Sequence, residues 1–262
     1  QFGDMDTVAR EELQLVRGSD MAILNAEDAT IGSATRPLRL PVQTYGVKVG
    51  QYRFENLTRG RNLTCCGELI IGDDALRVQT NFLGTHNLGS LAAAAAVATE
   101  LGVSLDQVKA GIESFWPVSG RMRVFEGAGG SVVVDDSYNS SPKAAVAALE
   151  TLLELPGRKI AIMGAMNELG APSRHEPHQV GLAAKGVDLL VTIGAEAGRH
   201  LVAGAAEAGV PADSIRSFDS PYAAGRFVRA QLGNGDVVLA KGSQNGVFVE
   251  EAVGLLLKDD SD

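Results

Sequence analysis

The run Ser131-Val132-Val133-Val134-Asp135-Asp136-Ser137-Tyr138-Asn139-Ser140-Ser141-Pro142 does most to restrict what this chain can fold into. Three consecutive valines suit a strand buried on both faces, and Pro142 suits the first position of a helix. The same alternation recurs downstream. Strands are expected at 159–163, 189–193, near Ile215 and at 237–240, with helices between them, one near 177–185. Repeated βα units predict an α/β fold with a doubly wound, mostly parallel sheet of Rossmann-like form. Such sheets take ligands outside the carboxyl ends of their strands, where the polar run falls. Asp136, Ser137 or Ser141 taken singly reads as a helix N-cap. One cap does not need five polar side chains, so the whole run predicts a site.

Before residue 117 the pattern differs. Met5, Val8, Leu13 and Val16 are spaced for one apolar helix face, and Met21-Ala22-Ile23-Leu24 reads as a short buried strand before a polar turn at 25–28. Alternating runs at 45–49, 68–71 and 75–79, separated by Gly, Asp and Asn, predict a β-meander. Helices are expected at 86–101, closed by Gly102, and at 105–115, capped by Ser104. Pro117 stops the second helix and Gly120 permits a turn, which sets two domains at 1–116 and 117–262. The chain enters its first helix directly from Gln1, as a fragment of a longer protein would.

The formal charge of −9 argues against nucleic acid as a partner. Hydrophobic residues make up 45% of the chain, enough for sizeable cores, and 31 glycines with 5% aromatics suit Ala/Val/Leu packing. The two cysteines, Cys65 and Cys66, are adjacent, so no disulfide framework exists and a reducing, cytoplasmic setting is expected. No apolar run reaches membrane-spanning length, so no membrane insertion is expected; the stretch 91–98 is a helix interior.

Lys241-Gly242-Ser243 follows the last predicted strand, on the same edge as Asp135 and Asp136. The lysine holds a phosphate or carboxylate there, or it pairs with Asp135; spacing allows both. Gly164-Ala165-Met166-Asn167-Glu168-Leu169-Gly170 and Gly194-Ala195-Glu196-Ala197-Gly198 are glycine-bearing βα turns without the dinucleotide fingerprint. His175 and His178 are three apart around Pro177, which does not match zincin spacing and reads as surface or capping histidines. Gly84-Thr85-His86-Asn87 opens a helix. It is either an N-cap at Thr85 or a pair, His86 and Asn87, that faces a planar ligand.

Taken in order, Gly84-Thr85-His86-Asn87, Pro117-Val118-Ser119-Gly120-Arg121, Asp135 to Asn139, Gly164 to Gly170 and Lys241-Gly242-Ser243 resemble the Mur ligase family across nearly the whole chain. Within it they are most similar to members that add D-alanyl-D-alanine to a UDP-MurNAc-tripeptide in peptidoglycan precursor synthesis. The resemblance implies ATP and Mg2+ as cofactors, an acyl-phosphate intermediate attacked by the dipeptide amine, and a monomeric full-length enzyme. It implies that residues 1–116 are the later part of a central ATP-binding domain and that 117–262 are the C-terminal domain. Carried over by position, His86 and Asn87 contact adenine, Arg121 reaches the phosphates and Asp136 holds the ribose. Tyr138 lines the nucleotide site and Asn139 and Ser140 the substrate site, while Lys241 and Ser243 lie near the acceptor; Arg121 and Lys241 are the catalytic candidates. An arginine suits the phosphate role because it is always charged and forks onto oxygens.

Two departures stand out. No G-x-x-x-x-G-K-[ST] occurs in the chain, so this chain by itself is expected to transfer no phosphoryl group. The carbamylated lysine usual in the family aligns with Glu12, which either keeps a negative charge near the metal or is a solvated surface glutamate. Other muropeptide ligases or folylpolyglutamate synthetase share the scaffold, and a non-catalytic nucleotide- or partner-binding module is the alternative of a different class.

Overall fold

The computed structural model describes residues 5–35, 39–60, 63–166, 175–243 and 248–258. The chain divides into two compact units, Gln1–Trp116 and Pro117–Asp262.

The N-terminal unit runs α1 (Met5–Glu12), β1 (Ala22–Asn25), α2 (Ala29–Thr35), β2 (Val42–Tyr45), β3 (Tyr52–Arg59), β4 (Cys65–Ile71), β5 (Asp74–Gln79), α3 (Leu88–Glu100) and α4 (Leu105–Ser114). Its strands lie in that order in one sheet, parallel from β1 to β3 and antiparallel from β3 to β5. Positions in β4 alternate between buried and half-buried. Leu69 and Ile71 of its buried face join a core with Leu88, Leu91, Ala92 and Ala95 of α3 and Val108 and Ile112 of α4. Ser104 and Gln107 form a capping box that starts α4.

Three sequence expectations change here. The strand expected at 45–49 is β2, which ends at Tyr45; residues 46–51 form a bend, and Tyr45 then pairs in parallel with Tyr52. Strand β3 escaped detection because its register slips between Glu55 and Thr58, with Asn56 at φ 51°, which breaks the two-residue period. Asp28, read as part of a turn, starts α2 by accepting from the N–H groups of Thr30 and Ile31.

The C-terminal unit runs β6 (Arg123–Glu126), β7 (Val132–Asp136), α5 (Pro142–Glu154), β8 (Lys159–Met163), α6 (His175–Leu182), β9 (Leu189–Ile193), α7 (Ala195–Glu207), β10 (Ile215–Phe218), α8 (Pro221–Arg229), β11 (Val237–Lys241) and α9 (Val249–Leu256). The sheet order is β10-β9-β8-β11-β7-β6, parallel throughout except for the edge pair β6–β7. This is the mostly parallel α/β sheet that the βα alternation predicts. Strands β9 and β11 are buried at every position, as near-continuous aliphatic runs require. Helices α5, α6 and α7 pack in series and α8 packs on α9. Helices α6 and α7 meet through Gly181 and Gly204: a Cβ on Gly204 would run into the His178 carbonyl, and one on Gly181 into that of Leu201.

β11, last in sequence, inserts between β7 and β8, which follow one another in the chain. The carboxyl ends of β7, β11 and β8 therefore lie side by side, with Lys241 in register with both Asp136 and Met163.

Candidate functional site

Side chains along a strand alternate between faces, so Asp135 and Asp136 point to opposite sides of the sheet and have different partners. Asp136 accepts from Lys241 Nζ at 2.6 Å and from the Met122 N–H at 3.1 Å. Lys241 Nζ also donates to the Asn139 carbonyl at 3.0 Å, and only 2% of the residue is exposed. The lysine thus pairs with Asp136 rather than Asp135, because register sets it opposite Asp136. Burial pushes the Asp136 carboxyl above its ordinary value, against the opposing pull of Lys241, the Met122 N–H and Arg121.

Asp135, also buried, accepts from the Gly120 N–H at 2.8 Å, the Ser137 hydroxyl at 2.6 Å and the Ser137 N–H at 3.2 Å. The two carboxylates therefore grip the backbone amides on either side of Arg121. Gly120 has φ +79°, and its carbonyl accepts from the Tyr138 N–H at 3.1 Å. A Cβ at Gly120 would sit 2.9 Å from both N and Cβ of Tyr138, so the approach of these two turns needs glycine. Arg121 is exposed, and its Cζ lies 4.2 Å from the centroid of the Tyr138 ring. This is cation–π geometry, and nearly half of Tyr138 faces outward.

Beyond Tyr138 the loop closes on β11. Asn139 Oδ1 accepts from the Ser140 N–H at 2.8 Å and from Ser243 Oγ at 3.4 Å. Ser141 Oγ accepts from the Ala144 N–H and caps α5, with Pro142 in its first turn. The Ser140 hydroxyl is buried with no hydrogen-bond partner among the described residues. The Gly164 N–H donates to the Lys241 carbonyl, and the Ser243 N–H to that of Ala165. The rest of that glycine-bearing turn, Asn167 to Gly170, lies outside the described residues.

Arg121, Asp136, Tyr138, Asn139, Ser140, Lys241 and Ser243 thus come together at one sheet edge. His86, Asn87 and Glu12 belong to the N-terminal unit. His86 is exposed in a 3-10 turn (Thr85–Asn87) ahead of α3, and Asn87 donates to the Leu83 carbonyl at 2.9 Å. The cap expected at Thr85 does not form; Gly84 holds the cap position, at φ 80°. Glu12 ends α1 and is exposed. His178 pairs with Glu207 at 3.1 Å, and no three His, Cys, Asp or Glu side chains among the described residues converge as a metal site. Among those residues no helix is long and apolar enough to cross a membrane. Asp135 and Ser137 lie within the run that the sequence marks as a site, but the Gly120 and Met122 amides that the two carboxylates hold were not foreseen.

The family model described as "Mur ligase, glutamate ligase domain" matches residues 120–244, which is the sheet and the edge just described. Residues 120–244 thus form a Mur ligase C-terminal domain. The chain's relatives include the UDP-N-acetylmuramoyl-tripeptide–D-alanyl-D-alanine ligase of Mycobacterium tuberculosis, strain H37Rv, 31% identical over all of this chain and 56% of the relative. The Escherichia coli enzyme of that name is 39% identical over 42% of this chain and 25% of its own length. A crystal structure of MurF from Acinetobacter baumannii superposes on 97% of this chain and 55% of that one, with a TM-score of 0.81 and 25% identity. The chain spans about half the length of these relatives at most.

Proposed function

We propose that this chain is part of an ATP-dependent ligase that joins D-alanyl-D-alanine to a UDP-MurNAc-tripeptide through an acyl phosphate. The observation that carries the reading is similarity to D-alanyl-D-alanine ligases that runs through both units rather than through the C-terminal sheet alone. In this reaction ATP phosphorylates the peptide carboxylate. The dipeptide amine then attacks, and phosphate leaves as the new amide forms. Such chemistry needs cationic donors aimed at the transferring phosphoryl group and a surface that orients the amine.

The exposed Arg121 guanidinium suits the first task, since it presents a fixed fork of donors to phosphate oxygens. Tyr138 backs it, and the half-buried Asn139 side chain, held from beneath by the buried Ser243 hydroxyl, gives the edge a polar group for the incoming dipeptide. His86 and Asn87 are proposed adenine contacts in the N-terminal unit. Lys241 and Asp136 are buried against one another, so their geometry favours holding the loop over touching acceptor or ribose. The described donor set does not fit magnesium: Glu12 is exposed and no cluster of ligating side chains surrounds it.

The test is ADP release by the intact protein with UDP-MurNAc-tripeptide, with and without D-alanyl-D-alanine, alongside product mass. Turnover that requires the dipeptide and adds its mass is expected, with Arg121→Ala lowering kcat on the order of 100-fold. Equal turnover without the dipeptide, or a product carrying a single amino acid, would overturn the reading.

A further inference from the structure

Two successive acidic residues at the end of β7 carry an inference about how the site is built. Neither points its carboxylate outward. Asp135 takes the amide of Gly120 and Asp136 takes the amide of Met122. The residue between those amides is Arg121, the exposed cation of the edge. The turn has little intrinsic reason to hold this shape. Gly120 and Met122 both sit at positive φ, 79° and 53°, and for Met122 that is a strained backbone in a buried residue. Strain of this kind persists where surrounding groups over-determine it, and here the two carboxylates do so. The Ser137 hydroxyl and N–H fix Asp135 from the other side, and Gly120 returns a carbonyl to Tyr138. One short network thus sets both halves of the Arg121–Tyr138 stack.

We propose that Asp135 is a positioning residue which, together with Asp136, clamps the amides flanking Arg121 and so holds its guanidinium over Tyr138, ready for an anionic phosphate. The proposal rests on the ligase reading for the identity of the anion, and on the hydrogen bonds alone for the clamp. An asparagine at 135 keeps the size but replaces one accepting oxygen with a donor. It therefore loses either the Gly120 or the Ser137 contacts, and the turn carrying Arg121 slackens.

Two measurements test it. In the intact enzyme, Asp135→Asn is expected to lower kcat/KM for ATP on the order of 10-fold, since small misplacement of a positioned group costs up to about 100-fold. In an Arg121→Ala background the same change is expected to cost less than about 2-fold, because residues acting through one another are not additive. Equal losses in both backgrounds would mean that Asp135 supports the fold generally, and would overturn the proposal. The second measurement needs no activity. In the 262-residue chain, NMR should find the Arg121 side-chain protons shifted upfield by the Tyr138 ring, and Asp135→Asn should abolish that shift. Persistence of the shift in the variant would also overturn the clamp. A wild-type enzyme that is inactive with both substrates, yet shows the shift and its loss, would sink the ligase reading and leave the clamp standing. If Asp135→Asn does not fold, Ser137→Ala removes a single donor at 2.6 Å and replaces it in both experiments, with a smaller effect of the same kind expected.

Discussion

Replacing Lys241 by methionine removes a charge from the centre of the C-terminal sheet while nearly keeping the volume of the side chain. Its Nζ lies 2.6 Å from Asp136 Oδ2, with 2% and 11% of the two side chains exposed. At an effective dielectric of about 20, that separation corresponds to about 6 kcal/mol of attraction. Desolvation of the two ions costs several kcal/mol each, so the pair taken together contributes little net stability. Removal of one partner is different, because the desolvated carboxylate stays and its compensation goes. The expected loss is about 3–5 kcal/mol. Urea unfolding of the chain, followed by a probe in the C-terminal unit, should show it. With a slope of about 2 kcal/mol per molar urea, the midpoint should fall by about 1.5–2.5 M. Two further results are required. The deficit should shrink as pH is lowered from about 7.5 to 5, because Asp136, already pushed up by burial, then protonates more readily. Adding Asp136→Asn should restore most of the lost stability, since no unpaired charge then remains buried. A loss below about 1 kcal/mol, or a deficit unchanged by pH, would refute the reasoning.

Three other outcomes are expected. Gly120→Ala should cost about 1–3 kcal/mol in urea unfolding, through the left-handed backbone and the contact 2.9 Å from Tyr138, and it should weaken any Arg121-dependent activity. Because the folded state holds the Asp136 proton more tightly than the unfolded chain does, wild type should lose stability relative to Asp136→Asn as pH rises from the ordinary carboxylate range, about 3.9, through the raised folded value. Urea midpoints across pH 3.5 to 7 read this (about one midpoint per half unit), and a rising difference would contradict it. Gly204→Ala should destabilise by about 1–3 kcal/mol by forcing α6 from α7, whereas Gly254→Ala, in open space on α9, should stabilise by up to about 1 kcal/mol; matched thermal melts compare them.

How much of this was legible depended on whether the signal was local. β7, β8, β9 and β11 are near-continuous aliphatic runs because both faces of the sheet are covered, and such runs stand out without any partner in view. β6 escaped notice: four residues at an antiparallel edge, none of them buried, leave no pattern to read. The polar run after β7 was recognisable as a site because its residues are contiguous. Its wiring was not recognisable. Lys241 and Asp136 are 105 residues apart, and only register assigns the lysine to Asp136 and leaves Asp135 to the Gly120 amide. The bound amides of Gly120 and Met122 are backbone groups, which any residue type carries, so no side-chain motif could announce them.

The insertion of β11 between its two older neighbours has a consequence in time. During synthesis β7 and β8 emerge early, yet they cannot pair with each other across the gap that β11 will fill. Until Lys241 has left the ribosome, the half-made sheet carries two open strand edges and Asp136 lacks its buried lysine partner. Long-range pairing of this kind is the slow step in assembling a fold. A nascent chain that stalls before residue 241 therefore has neither a closed sheet nor the tether that holds Asn139, and the last strand acts as the checkpoint for the whole edge.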